Sequence, residues 1–218
     1  MAWTALLPYG SELLMGLIAT LVLTVAATAT SFLAAIVLAL ATQLGNRWLR
    51  NAVAVYTQLV LGTPVLVLMY IVYFVLPKLG LRLDEITAGL LTLTMYYSPY
   101  MAEAIRGAVA AIPAGQIDAG RTAGLYGVKL LRRIVAPQAM GLAIPPLTGL
   151  TIGLAKDTAV LSVISVHELA YATKQVVSIT YAPFEAWCVV ALAYWLVLSA
   201  FELAMRRVER SATRYRIT

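Results

Sequence analysis

The sequence predicts an all-α integral membrane protein, with five transmembrane helices and one cytoplasmic helix between the third and the fourth. Three observations lead there. First, the 218 residues are 61% hydrophobic and only 12% charged, with a mean hydropathy of +0.86. Soluble domains run at roughly 45–50% apolar and about 25% charged. An apolar excess this large needs lipid as a second apolar solvent beside any core. Second, uncharged runs recur at spanning length. Third, lysine and arginine fall unevenly between those runs.

The elements follow in order. The first span covers 12–42, since Leu13–Ala41 carries no charge in 29 residues. No Lys or Arg precedes this run, and it is too long for the apolar region of a cleavable signal, so it reads as a span. Gln43–Arg50 is an inner loop. The second span covers 52–76 and is interrupted at Gly62-Thr63-Pro64. Pro77–Glu85 is an outer loop in which Lys78 and Arg82 balance Asp84 and Glu85. The third span covers 86–110, apolar with scattered Thr and Tyr. The fourth covers 138–158, inside an uncharged run that holds Pro137, Pro145 and Pro146. The stretch 159–179 is broken by His167, Glu168 and Lys174, and reads equally as re-entrant or periplasmic. The fifth span covers 184–206. No linker-like or repeated segment divides the chain, so 1–218 reads as a single domain.

Charge sets the expected orientation. With the N-terminus outside, the inner segments hold Arg47, Arg50, Arg106, Arg121, Lys129, Arg132, Arg133, Arg206, Arg207, Arg210, Arg214 and Arg216. The remaining segments hold only Lys78, Arg82, Lys156 and Lys174. This bias places the C-terminus in the cytoplasm under the positive-inside rule. It also accounts for the net charge of +6, because basic residues beside lipid headgroups need no nucleic-acid partner.

The segment 107–133 is rich in Ala, Gly and Arg and too polar to span. Pro113 suits the first turn of a helix, where its missing N–H costs nothing. Gly124 suits the left-handed residue that closes one. Between them lie Gln116, Asp118, Ala119, Arg121 and Thr122, with Asp118 and Arg121 sharing a face. A second basic helix, Val128–Ala136, is expected to stop before Pro137. The small residues Ala119, Gly120 and Ala123 would let another surface approach. The element reads as a docking helix or as a helix lying on lipid.

Charges and helix breaks at membrane depth mark solute pathways. Thr63 lies twelve residues beyond Asn51, roughly 18 Å along a helix and near the midplane. There Thr63 is expected as N-cap and Pro64 as first residue of an outer half-helix, whose free N–H groups suit a carboxylate; a packed proline kink is the plain alternative. Counted from Gly141, Asp157 of Lys156-Asp157-Thr158 lies about 24 Å along the fourth span, in its outer half or at its outer rim. Lys156 and Asp157 match the two charges of a zwitterion, and an outer-surface or helix-tying pair is the alternative. Glu103 and Arg106, one turn apart toward the inner end of the third span, suit a structural or gating pair.

Asp118-Ala119-Gly120, three residues, Gly124, nine residues and Ile134-Val135-Ala136-Pro137 resemble the EAA loop of ABC importer permeases. The loop's pattern is Glu-Ala-Ala, three residues, Gly, nine residues, Ile-x-Leu-Pro. Asp118, Gly120 and Ala136 depart from it. The run Tyr100–Ala108, Ala111–Gln116, Gly62-Thr63-Pro64, Lys156-Asp157-Thr158 and Glu168-Leu169 resemble the polar amino-acid subfamily. Leu61 stands where that subfamily usually has Arg, which removes a cationic carboxylate partner. The resemblance implies the transmembrane domain of a type I ABC importer in the bacterial inner membrane, with 113–124 as the coupling helix. Gln116, Asp118, Ala119, Arg121, Thr122 and Gly124 would then contact an ATPase subunit. It further implies two ATPase subunits that bind ATP and Mg2+, a second permease subunit, identical or homologous, and an external solute-binding protein. Arginine, histidine, glutamate, glutamine, an opine and ectoine all remain open as the solute.

Other chemistries find little support. No G-x-x-x-x-G-K-[ST] loop exists to hold a nucleotide. His167 has no Cys or second His to share a metal, and Cys188 is the only cysteine. No nucleophile–base spacing supports a membrane enzyme. A transporter working alone is the remaining rival, and the EAA spacing argues against it.

Overall fold

A computed structural model describes residues 3–212. Arg214, Arg216 and the C-terminus, used above for orientation, lie outside the described residues. The regular structure of the described residues is all helical, without strands. A 3-10 turn, Trp3–Tyr9, leads into α1, Gly10–Leu44. Next come α2, Arg47–Leu61, and α3, Val65–Tyr70, which runs on through a π turn, Ile71–Val75, and a 3-10 turn, Leu76–Leu79. Then follow α4, Glu85–Ala110; α5, Ala114–Thr122; and α6, Gly127–Leu130. A π turn, Leu131–Val135, joins α6 to α7, Ala136–Asp157. A 3-10 turn, Thr158–Ile164, precedes α8, Leu169–Thr180, and α9, Pro183–Ala212.

Among the described residues, three helical stretches are long and apolar enough to cross a membrane: Trp3–Leu44, Gly127–Ile164 and Pro183–Arg210. A fourth counts if Arg47–Leu61 and Val65–Leu79, bent by 109° at their break, form one span. The expected break at 62–64 is present, and its angle is far larger than that of a kink. The third expected span is α4. Its 26 residues reach about 39 Å, yet it is not among the apolar stretches, because it lies inside the bundle and needs no lipid-facing side chains.

α4 packs against α1 and α7 and is flanked by α2 and α3. Leu93 and Met101 are at most 1% exposed, and Leu154, Leu161 and Ile164 close the same core from the other side. Pro99 sits within α4 and has no N–H to give the carbonyl of Met95. Tyr56 of α2 supplies the donor instead, its hydroxyl lying 2.6 Å from Met95 O. The bond satisfies a backbone group the helix cannot and ties α2 to α4. Asp84 caps α4 by accepting from Thr87 N at 3.0 Å. Hydrogen bonds from the Thr87 side chain and backbone hold the Asp84 carboxyl below the usual carboxylate range.

A second core joins the start of α1 to α8 and α9 through Leu6, Leu13, Leu169, Val176, Ala186 and Val190. The stretch whose place was open thus contains a 12-residue helix. At about 18 Å it is too short to span. It lies so close on α1 that a Cβ at Gly16 would meet Leu169 Cα at 3.0 Å.

The second basic helix does not stop before Pro137. The chain is helical without a gap from Gly127 to Asp157. The π turn is the reason: Ala136 N–H bonds five residues back to Leu131 O, and the widened turn precedes a proline that lacks its own donor.

Candidate functional site

α5 stands on a small apolar base of its own. Ile112, Val135 and Ala139 are buried, with Val109, Ile117 and Leu130 packed against them. Pro113 has extended backbone, φ −58° and ψ 133°, and is the N-cap rather than the first helical residue; its carbonyl accepts from Gln116 N at 3.0 Å. At the other end Leu125 N bonds Gly120 O at 3.0 Å and Gly124 N bonds Arg121 O at 3.0 Å. This pair of bonds is a Schellman closure, and it requires a left-handed residue after the cap. Gly124 fills that place with φ +78°. A Cβ there would meet nothing within 4 Å, so backbone strain alone selects glycine inside this chain.

Gly120 differs. It is buried, and a Cβ on it would meet Leu130 Cδ1 at 2.6 Å. Its small size therefore serves the packing of α5 on the following helix, not the approach of another surface. Gln116, Asp118, Ala119, Arg121, Thr122, Ala123 and Gly124 are exposed. Arg121 reaches Asp118 at only 3.4 Å, and Thr122 Oγ1 donates to Asp118 O at 3.0 Å. α5 thus presents a polar outer face with its backbone closed at the C-terminal end.

At the break, Thr63 does not cap α3. Its hydroxyl turns back and donates to Leu59 O at 2.7 Å, and Pro64 is the N-cap. Thr63 therefore satisfies an orphan carbonyl at the end of α2. Leu61, beside it, is 44% exposed.

At the far end of α7 the three candidates diverge, as consecutive helical residues must. Asp157 accepts from Tyr97 Oη of α4 at 2.7 Å. Lys156 is exposed and lines a groove of about 440 Å³ with Tyr194, Trp195, Ser199 and Glu202 of α9. Thr158 is 0% exposed, and its hydroxyl donates to Ala155 O at 2.8 Å. The structure does not bring Lys156 and Asp157 to one wall. Glu103 and Arg106 form an ion pair on α4, with both side chains about half exposed.

Sequence reasoning assigned no role to two buried groups. Glu168 is 0% exposed. It caps α8 by accepting from Ala170 N at 2.9 Å and Tyr171 N at 2.8 Å. It also accepts from Tyr194 Oη at 3.3 Å and Thr20 Oγ1 at 3.4 Å. A buried carboxylate is tolerated only when its acceptors are filled, and these four donors join α1, α8 and α9. An acidic residue directly before an apolar helical run was the available signal. Tyr97 is the other group, 5% exposed, and nothing in its local sequence singles it out from Tyr96 and Tyr100.

Residues 31–214 match the family model described as binding-protein-dependent transport system inner membrane component. The chain is 32% identical over 211 residues to the glutamine transport system permease protein GlnP of Escherichia coli (strain K12), covering 95% of this chain and 96% of that protein. It is 32% identical over 201 residues to the L-cystine transport system permease protein TcyB of Bacillus subtilis (strain 168), covering 88% and 84%. Among solved structures, an amino acid ABC transporter superposes with a TM-score of 0.91 at 28% identity, covering 97% of this chain and 99% of that one. The MetNI methionine ABC transporter superposes with a TM-score of 0.78 at 21% identity, a likeness of fold alone. The family model covers 31–214 and both relatives exceed 30% identity over most of their length: this chain belongs to the family of binding-protein-dependent transport system inner membrane components, the permease subunits of ABC transporters.

Proposed function

We propose that this chain carries a polar amino acid or a related zwitterion across the bacterial inner membrane by alternating access. α5 is the coupling helix in this reading. Its exposed residues Gln116, Asp118, Ala119, Arg121, Thr122 and Gly124 sit against an ATPase subunit, and ATP and Mg2+ are held by two such subunits, not by this chain. A second permease subunit, identical or homologous, and an external solute-binding protein complete the assembly. One observation carries the reading: in a chain of this family, a helix closed at its C-terminal end stands on its own apolar base outside the spans and keeps its polar face free. A helix in that state resists deformation, so a push from a partner reaches α4 and α7 as rigid-body movement. The named substrates of the relatives, glutamine and cystine, support the amino-acid class.

The pathway reading favours Asp157, with Lys156, Thr63 and Thr158 less directly placed. Thr63 and Thr158 spend their hydroxyls on backbone carbonyls. The ion pair of Glu103 and Arg106 is read as gating or structural. The orientation reading puts the N-terminus outside and 115–133 in the cytoplasm.

Two measurements test this. Proteoliposomes holding the purified complex with its binding protein should take up radiolabelled L-glutamine, L-cystine or L-arginine only with ATP supplied to the ATPase side. Uptake by the permease without its ATPase would overturn the proposal. For orientation, a cysteine at position 116 in a Cys188→Ala background should resist an impermeant thiol reagent in intact cells, and labelling there would reverse the topology.

A further inference from the structure

Tyr97 is a buried polar side chain that the proposed function leaves unused. Among the described residues it is the one group whose hydrogen bond to the Asp157 carboxylate is recorded, Oη to Oδ2 at 2.7 Å. None of the ion pairs among those residues involves Asp157, and the neighbouring Lys156 faces the groove toward α9. A half-buried carboxylate with one donor and no cation is incompletely compensated.

Tyr97 itself has little freedom. The Tyr96 ring packs edge-on against it at a centroid distance of 5.3 Å, and the Tyr100 ring lies at 6.3 Å. On the α7 side, Gly153 sits one turn before Asp157, and a Cβ there would lie 3.2 Å from the Tyr97 hydroxyl. The missing side chain at Gly153 makes room for that hydroxyl. A short O–H···O⁻ bond from a fixed donor sets the carboxylate's orientation. It occupies Oδ2 and leaves Oδ1 without a donor among the described residues. A carboxylate without an ion pair, held beside a tyrosine cluster, is chemistry suited to an ammonium group.

We infer that Tyr97 is a positioning residue for solute recognition: by holding Oδ2 of Asp157 it presents Oδ1 to the ammonium group of the solute. This rests on the reading that Asp157 lines the pathway. Tyr97 acts through Asp157, and the α-amino group common to amino acids is the ligand chemistry it serves.

The test uses the purified permease–ATPase complex without binding protein. Equilibrium dialysis with radiolabelled L-glutamine, L-arginine and L-cystine identifies the ligand that wild type binds most tightly. For that ligand Tyr97→Phe raises Kd about tenfold, equivalent to about 1.4 kcal/mol. Asp157→Asn raises Kd at least as much, and adding Tyr97→Phe to it brings no further loss. Gly153→Ala, which crowds the hydroxyl, raises Kd in the same direction by less, and serves if Tyr97→Phe assembles poorly. The ligand acetylated at every α-amino group, which has no α-ammonium group, binds wild type and Tyr97→Phe alike. An unchanged Kd in Tyr97→Phe beside a raised Kd in Asp157→Asn overturns the inference and leaves Asp157 in the pathway. So does a lowered melting temperature at unchanged Kd, which would make the bond a tie between α4 and α7, or an additive loss in the double variant. An unchanged Kd in Asp157→Asn overturns the pathway reading itself, and this inference with it.

Discussion

α4 and α5 are neighbours in sequence and opposites in surroundings. Both contain polar residues, and both carry an acid–base pair three residues apart. α4 turns much of its length to other helices and keeps Thr92, Tyr97 and Ser98 at 5% exposure or less. α5 rests on one narrow base and leaves most of its polar residues in the open. The difference teaches that polarity in a membrane chain has two meanings. Within the bundle it marks a helix shielded from lipid, whose polar groups are paired inside. Outside the bundle it marks a helix whose polar groups have partners still to come. Substitutions at the packing positions of α4 should therefore appear in stability, and substitutions on the outer face of α5 in coupling.

The largest expected effect is at Gly124. Gly124→Asp places an L-residue at φ +78°, where the backbone cost is roughly 1–2 kcal/mol, and adds a charge to the free face of α5. ATP-driven uptake in proteoliposomes with equal amounts of complex falls to background, while membrane insertion is unchanged. Wild-type uptake by this variant would erase the distinction between the two helices. Next comes Met101→Ala in α4. Met101 is 1% exposed, so its truncation costs about 2–5 kcal/mol, read as a lower melting temperature of the purified complex. An unchanged melting temperature would mean α4 is not the core helix. Tyr56→Phe is milder. It leaves the Met95 carbonyl without the donor that Pro99 cannot replace, at a cost of about 1–3 kcal/mol. The same thermal measurement checks it, and restoring a backbone donor with Pro99→Ala in the same chain should recover part of the loss. The smallest effect on stability belongs to Asp118→Asn. Its ion pair is long and more than half exposed on both sides, so stability shifts by no more than about 0.5 kcal/mol. ATP hydrolysis per solute transported should nevertheless change. A clear loss of stability there would show that α5 is held by its charges and not by its base.

The fold was legible where a residue has one physical reason to be present. Gly62-Thr63-Pro64 announced a break, and Gly124 the left-handed turn that follows α5. Apolar runs marked the lipid-facing helices. The third expected span, 86–110, coincides with α4 to within one residue, although Tyr96, Tyr97, Ser98 and Pro99 lower its apolarity where other helices shield it. Pro137 misled because a proline ends an α-helix only if the preceding turn stays α-helical, and π geometry is a tertiary choice. The pairing at the candidate site was not legible. Asp157 could be placed by counting along α7, but its partner Tyr97 is 60 residues away. Lys156 and Asp157 looked like a pair in sequence, and one residue of helical rotation sends them to different walls. Thr63 looked like a cap for the helix ahead and serves the helix behind, because hydroxyls in either place find a carbonyl or an N–H within reach.

The π turn at Leu131–Val135 separates the length of the rod between α5 and α7 from its phase. A π turn amounts to one residue more than the α-helix needs at that point. Removing a single residue there would restore ordinary winding and keep the rod nearly as long. It would also keep everything on the α5 side in nearly the same rotational phase, whereas a deletion inside the α-helical stretch Ala136–Asp157 would swing it by about 100° around the axis. In that second case Leu130 would leave its seat over Gly120, and the face that Gln116 and Asp118 present would look elsewhere. A one-residue deletion in the π turn should therefore be tolerated, and the same deletion in α7 should act as a mis-indexed crankshaft, whose drive arm points the wrong way in a subunit that still inserts.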